Sequence, residues 1–164
     1  MQCKTKQNKL KTKIMKTLLM TIGLALSYTA SAQWVSKTVD NGFDAPYKIA
    51  HTNGYQNQFL KLENYNNEIS FYIGGVYICD EAVSVDMSFL VNGVYQKYNL
   101  LDCSVSEDNR TLFFMDNLTT HEIFSSFKTS SSVKIRINDA TCGVVTYEFK
   151  MSGSTTAYNY VIAP

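Results

Sequence analysis

The sequence predicts an all-β protein, an antiparallel two-sheet sandwich, and three observations carry that prediction. Short runs alternate apolar with polar residues, as in Val83, Val85, Met87, Phe89 and Val91, and a period of two places every second side chain on one face of a strand. Tracts rich in Asn and Gly separate the runs and supply the positive-φ residues of tight turns. Helical spacing is confined to a short turn near residues 120–127 and a possible second one beginning at Ser154. About eight or nine such strands suit an immunoglobulin-like or jelly-roll-like sandwich better than a parallel sheet with crossover helices.

Residues 1–32 stand apart from this pattern. Six lysines, from Lys4 to Lys16, precede the apolar run Leu18–Leu26, and small residues end in Ala30-Ser31-Ala32. Cationic start, short apolar stretch and Ala-x-Ala site form the secretory signal pattern, with cleavage expected after Ala32. The apolar run is short for a membrane span, which needs about 20 residues. Met15-Lys16 would also serve as a start. Cys3 lies far from the cleavage site, so the lipoprotein arrangement is missing. Residues 33–164 are the expected sandwich domain, secreted or periplasmic. Of 15 basic residues nine remain after cleavage against 14 acidic ones, a net charge of −5 where the full chain carries +1. An acidic domain gains nothing from counterion release on nucleic acid or from anionic lipid, so neither is an expected partner.

Strands are expected at Trp34–Val39 and Tyr47–His51, then at Phe59–Leu62 and Glu68–Ile73 across the Asn64-Tyr65-Asn66-Asn67 turn. Gly74-Gly75 interrupts a run that resumes as Val76-Tyr77-Ile78, and this reads as a bulge or bend. Asn92-Gly93 joins Val83–Val91 to Val94–Leu100. That dipeptide is the strongest short-range hairpin signal, because both central residues of a type I′ turn need positive φ. After Thr111–Met115, Thr119-Thr120-His121-Glu122 fits a capping box, with Ile123, Phe124 and Phe127 as the apolar side of the turn it opens. A last hairpin joins Val133–Ile137 to Val144–Met151, and Tyr158 and Val161 are expected to face inward from the turn at Ser154.

Cys79, Cys103 and Cys142 remain after cleavage, and export permits a disulfide. Three pairings are open. In a meander, one full hairpin separates the loop after Ile78 from the segment after Leu101, which puts both at one end of the sandwich. That parity favours Cys79–Cys103 and leaves Cys142 free or available between molecules.

From Phe59 to Val161 the order of pieces is Leu60-Lys61-Leu62, Ser70–Tyr77, Val83-Ser84-Val85, Tyr98 followed by Ser106-Glu107-Asp108-Asn109, Thr119–Phe127, Val133–Arg136 and Tyr147–Gly153. This order resembles small exported β-sandwich proteins of the invasion-associated locus B and type VI secretion-associated periplasmic kind. Two positions depart from it: Tyr98 stands where those proteins often show Trp, and Glu63 where an Arg-Cys pair is common. The resemblance implies an exported sandwich and carries no catalytic constellation.

Chemistry-bearing patterns are sparse. There is no Gly-x-Ser-x-Gly elbow, His-Glu-x-x-His or Cys-x-x-Cys. The bases are His51, at a strand end, and His121, at the expected helix start, where solvent is the ordinary surrounding. Asp40-Asn41-Gly42-Phe43-Asp44 has a calcium loop's alternating oxygens but lacks its closing Glu, so an Asx turn is the reading. Glu107-Asp108 and Asp80-Glu81 read as solvated turn charges rather than a glycosidase pair, and Asn109 and Asn117 head short glycosylation patterns. No cofactor, metal or catalytic residue is expected, and a hydrolase is the least favoured class. Tyrosine is abundant, with Tyr72, Tyr77, Tyr98 and Tyr147 expected in or beside the core. Trp34, Tyr55, Tyr65 and Tyr95, in or near polar stretches, are the candidate ligand platform. The expected function is non-catalytic binding of a protein partner, with a carbohydrate-binding module as the alternative.

Overall fold

A computed structural model describes residues 34–79, 83–100, 103–114 and 121–164. The expected signal segment lies outside these residues, as do Asp80-Glu81, Met115, Asn117 and the Thr119-Thr120 cap. The strands are β1 (Val35–Val39), β2 (Tyr47–Asn53), β3 (Phe59–Tyr65), β4 (Glu68–Gly74), β5 (Ser84–Val91), β6 (Val94–Leu100), β7 (Ser104–Val105), β8 (Thr111–Phe113), β9 (Ser132–Asp139) and β10 (Gly143–Lys150). Two helices, α1 (His121–Thr129) and α2 (Ser154–Ile162), join them.

Among the described residues all strand pairs are antiparallel, in a six-stranded sheet of order β1-β2-β3-β4-β8-β7 and a four-stranded sheet of order β10-β9-β5-β6. The two-sheet all-β reading from the sequence therefore holds. Alternation places Ala50, Leu60, Leu62, Phe71, Ile73 and Leu112 on the inner side of the larger sheet, all buried. Val85, Met87, Phe89, Val133, Ile135 and Phe149 do the same for the smaller one. No helix among the described residues is long and apolar enough to cross a membrane.

The hairpins follow their turn residues. Asn92 and Gly93 take φ of 50° and 81° between Val91 and Val94, the paired strand ends. Asn66 and Asn67 do likewise at 52° and 66°, so Asn64 and Tyr65, expected in the turn, complete β3 instead. The expected bend falls at Gly75, whose φ is +72°. Beyond it Val76–Ile78 is not a strand. It runs extended, with Val76 and Ile78 donating backbone hydrogen bonds to the carbonyls of Arg110 and Asn109.

Both helices pack inward. The turn expected near 120–127 is the nine-residue α1, which buries Ile123 and Phe127. Helix α2 buries Val161 and packs against β1, β2 and β3. Thr38 and Tyr160 share a 2.8 Å hydroxyl contact. Lys48 Nζ donates to the Ala163 carbonyl at 2.8 Å, and Asn64 donates to the Val161 carbonyl at 3.0 Å. Polar residues at one end of an inward face thus bond a helix rather than an opposing sheet.

The disulfide corrects the expected pairing. Cys79 bonds Cys142, with 5.7 Å between Cα atoms, and Cys103 stays out of the bridge. Strand β9 inserts beside β5 in the register Ser84↔Asn138, which brings the β9–β10 turn against the chain that leads into β5. Asp139 secures the approach. Its carboxylate accepts the backbone N–H of Cys79 at 2.7 Å, and those of Thr141 and Cys142 at 2.9 and 2.7 Å.

Candidate functional site

The outer side of the six-stranded sheet carries a group of aromatic and titratable side chains that do not serve the core. One row across it runs Val35, His51, Lys61, Tyr72, Phe113 and Ser104, each opposite the next. Phe59 lies toward one end of the sheet, and Tyr47 and Tyr65 toward the other. The period of two that fills the interior also sends this second set outward.

The rings meet in two groups. Tyr72 meets Phe113 at 5.0 Å and Phe59 at 6.5 Å between centroids, and Tyr47 meets Tyr65 at 5.2 Å. Gly74, in the cross-strand position to Phe59, leaves the space that the Phe59 ring occupies; a Cβ there would sit 2.1 Å from its tip. Ile49 is only 6% exposed and Tyr72 8%, although both sit on the outer side. These two give an apolar floor, and the half-buried Tyr47, Phe59, Tyr65 and Phe113 stand around it.

A small polar network crosses this floor. Tyr72 donates its hydroxyl to Glu63 at 2.9 Å, Lys61 pairs with Glu63 at 2.7 Å, and the Lys61 ammonium lies 5.1 Å above the Tyr72 ring. Burial, with the neighbouring Glu63 charge and the bond to it, pushes the Tyr72 hydroxyl far above the usual tyrosine range. Partial burial followed by the positive charges of Lys37 and Lys61 lowers the His51 imidazole below its ordinary value. The directly opposite neighbours of His51 are Val35 and Lys61.

The four proposed platform residues separate. Trp34 is 6% exposed and edge-on to Phe127 at 5.1 Å, so it belongs to the core and not to a platform. Tyr55, 83% exposed, sits in a short 3-10 turn between β2 and β3. Tyr65 closes the opposite end of β3, a strand roughly 20 Å long at the usual rise. The charge of Asp44 nearby raises its hydroxyl first, with a smaller effect of burial. Tyr95 projects from the outer side of the other sheet, with the Lys134 ammonium 5.4 Å over its ring. Only Tyr65 therefore joins the aromatic face. Tyr47, Phe59, Tyr72 and Phe113 are its unpredicted members. Their signal was present as alternate aromatic positions in neighbouring strands, but using it requires the strand register. Tyr77, expected near the core, is exposed because the chain past Gly75 leaves the sheet.

Two further groupings carry ligand-type side chains. Cys79, Asp139 and Cys142 present ligand-type atoms within 4.8 Å of one another. Both sulfurs are bonded together and the carboxylate accepts three backbone N–H groups, so this cluster is a cross-link with its support. Asp40–Asp44 folds as a pair of Asx turns, with the Asp40 carboxylate capping Gly42 N–H and the Asn41 side chain capping those of Phe43 and Asp44. The smaller sheet has a shallow depression of about 360 Å³ on its outer side, edged by Lys97, Lys134 and Arg136. Arg136 is engaged there by Asp86 at 2.6 Å, and Asn99 also donates to Asp86, at 2.7 Å. No protein-family model, curated protein or solved structure matches this chain.

Proposed function

We propose that this chain is an exported, non-catalytic binding protein that takes a protein partner on the aromatic side of its six-stranded sheet, in the periplasm or outside the cell. The observation that carries the reading is the way the rings meet. Tyr47 and Tyr65 cross at 89°, Phe59 and Tyr72 at 76°, and Tyr72 and Phe113 at 44°. A sugar chain stacks best on rings that share a plane, whereas crossed rings over an apolar floor suit the uneven relief of a protein interface, where Tyr and Phe are enriched. Export rests on the lysine-rich start, short apolar run and Ala-x-Ala site. Kinship with the invasion-associated locus B and type VI periplasmic sandwiches belongs to the same proposal.

The test is affinity capture from the host's own envelope fraction with three immobilised proteins: wild type, Tyr47→Ser combined with Phe113→Ser, and Tyr95→Ser. Wild type and Tyr95→Ser are expected to retain the same protein, and the double variant to lose it. Equal retention by all three would refute the assignment of this face. Recovery of glycan without protein would replace it with the carbohydrate-binding alternative.

A further inference from the structure

We infer that β10 is a docking edge for a second copy of this chain, joining two four-stranded sheets into one of eight strands. A sheet edge presents alternate backbone N–H and C=O groups with no strand to receive them, and such an edge selects an extended polypeptide. Of the four sheet edges among the described residues, three are blunted. β7 has only two residues. β6 has Lys97 at its centre, and its Tyr98 and Gln96 side chains bond the Ser126 hydroxyl of α1. β1 has Lys37 at its centre and is tied to α2 through Thr38 and Tyr160.

β10 has none of these devices among the described residues. It is eight residues long, contains no proline, and carries no charge from Gly143 to Tyr147. Val144 is 65% exposed and Val145 40%. The strand is also held ready at both ends. The Cys79–Cys142 bridge and the Asp139 carboxylate fix the turn before it, and Phe149 is buried near its far end. An edge already in its bound shape loses little freedom on docking.

The occupant follows from self-complementarity. A two-fold axis makes an interface meet its own copy. Antiparallel pairing centred on Thr146 sets Thr146 against Thr146 of the second copy. Val145 then lies opposite the other Tyr147, twice, and Val144 opposite the other Glu148. Thr–Thr and β-branched–aromatic combinations are favourable cross-strand pairs, and no like charges fall directly opposite one another.

Sedimentation velocity of the purified protein over a wide concentration range tests this. Wild type should form a reversible dimer. Thr146→Lys and Thr146→Glu, each placing two like charges at the axis, should weaken it about tenfold or more, and an equimolar mixture of the two should restore it. Thr146 is exposed, and near-ultraviolet circular dichroism checks that both variants keep the fold. Independently of any variant, amide exchange over residues 144–148 should slow as concentration rises while exchange along β6 does not. A wild type monomeric throughout overturns the inference, and so do variants that dimerise as tightly as wild type or amide protection appearing elsewhere.

Discussion

At the scale of single residues, the Cys79–Cys142 bridge and Asp139 act as one device. The bridge spans a sequence separation of 63, and closing a loop of that size removes about 4 kcal/mol of unfolded-chain entropy in the simplest account, with typical measured values of 2–4. Cys142→Ser should therefore lower unfolding stability by about 2–4 kcal/mol in denaturant titration, whereas Cys103→Ser, outside the bridge, should change it far less. Which cysteine would be chosen was not legible in the sequence. Counting strand parity located the correct end of the sandwich for Cys79, but Leu100 and Asn138 both reach that end, opposite Val85 and Ser84. Only the insertion of β9 beside β5 decides between them. Trp34 was misread for a related reason: its polar surroundings in sequence say nothing of Phe127, more than ninety positions away.

Among elements, those fixed by local chemistry were the legible ones. Asn92-Gly93 marks its hairpin because the turn demands positive φ, and a strict alternation marks β5. β7 was missed because two residues carry no period. Val76–Ile78 reads as a continuation of the strand because its composition is β-prone. Its departure from the sheet is set by Gly75, where a Cβ would stand 2.5 Å from the Asn57 carbonyl oxygen at a φ of +72°. Gly75→Ala should consequently destabilise by about 2–3 kcal/mol, combining left-handed backbone cost with a clash against main chain. Gly74→Ala meets only the tip of the half-buried Phe59 ring and should cost less. Thermal unfolding of the two variants side by side checks the order.

For the whole molecule, pH dependence gathers scattered groups into one profile. Burial and nearby lysines lower His51, so the unfolded chain takes its proton more readily, and stability falls as pH drops below the ordinary 6.5. Hydrogen bonds from Asn99 and Arg136 lower Asp86, whose contribution is complete above 3.8 and disappears as acid protonates the folded form. Denaturant midpoints plotted against pH should thus descend in two steps, the upper one absent in His51→Gln and the lower one reduced in Asp86→Asn. In alkali the sign reverses at Tyr72. Its hydroxyl is locked to Glu63 beneath Lys61, while an unfolded tyrosine ionises near 10.0. The aromatic sheet thereby carries its own optical witness. The phenolate absorbance belonging to Tyr72 is released only when the strands that shelter it come apart.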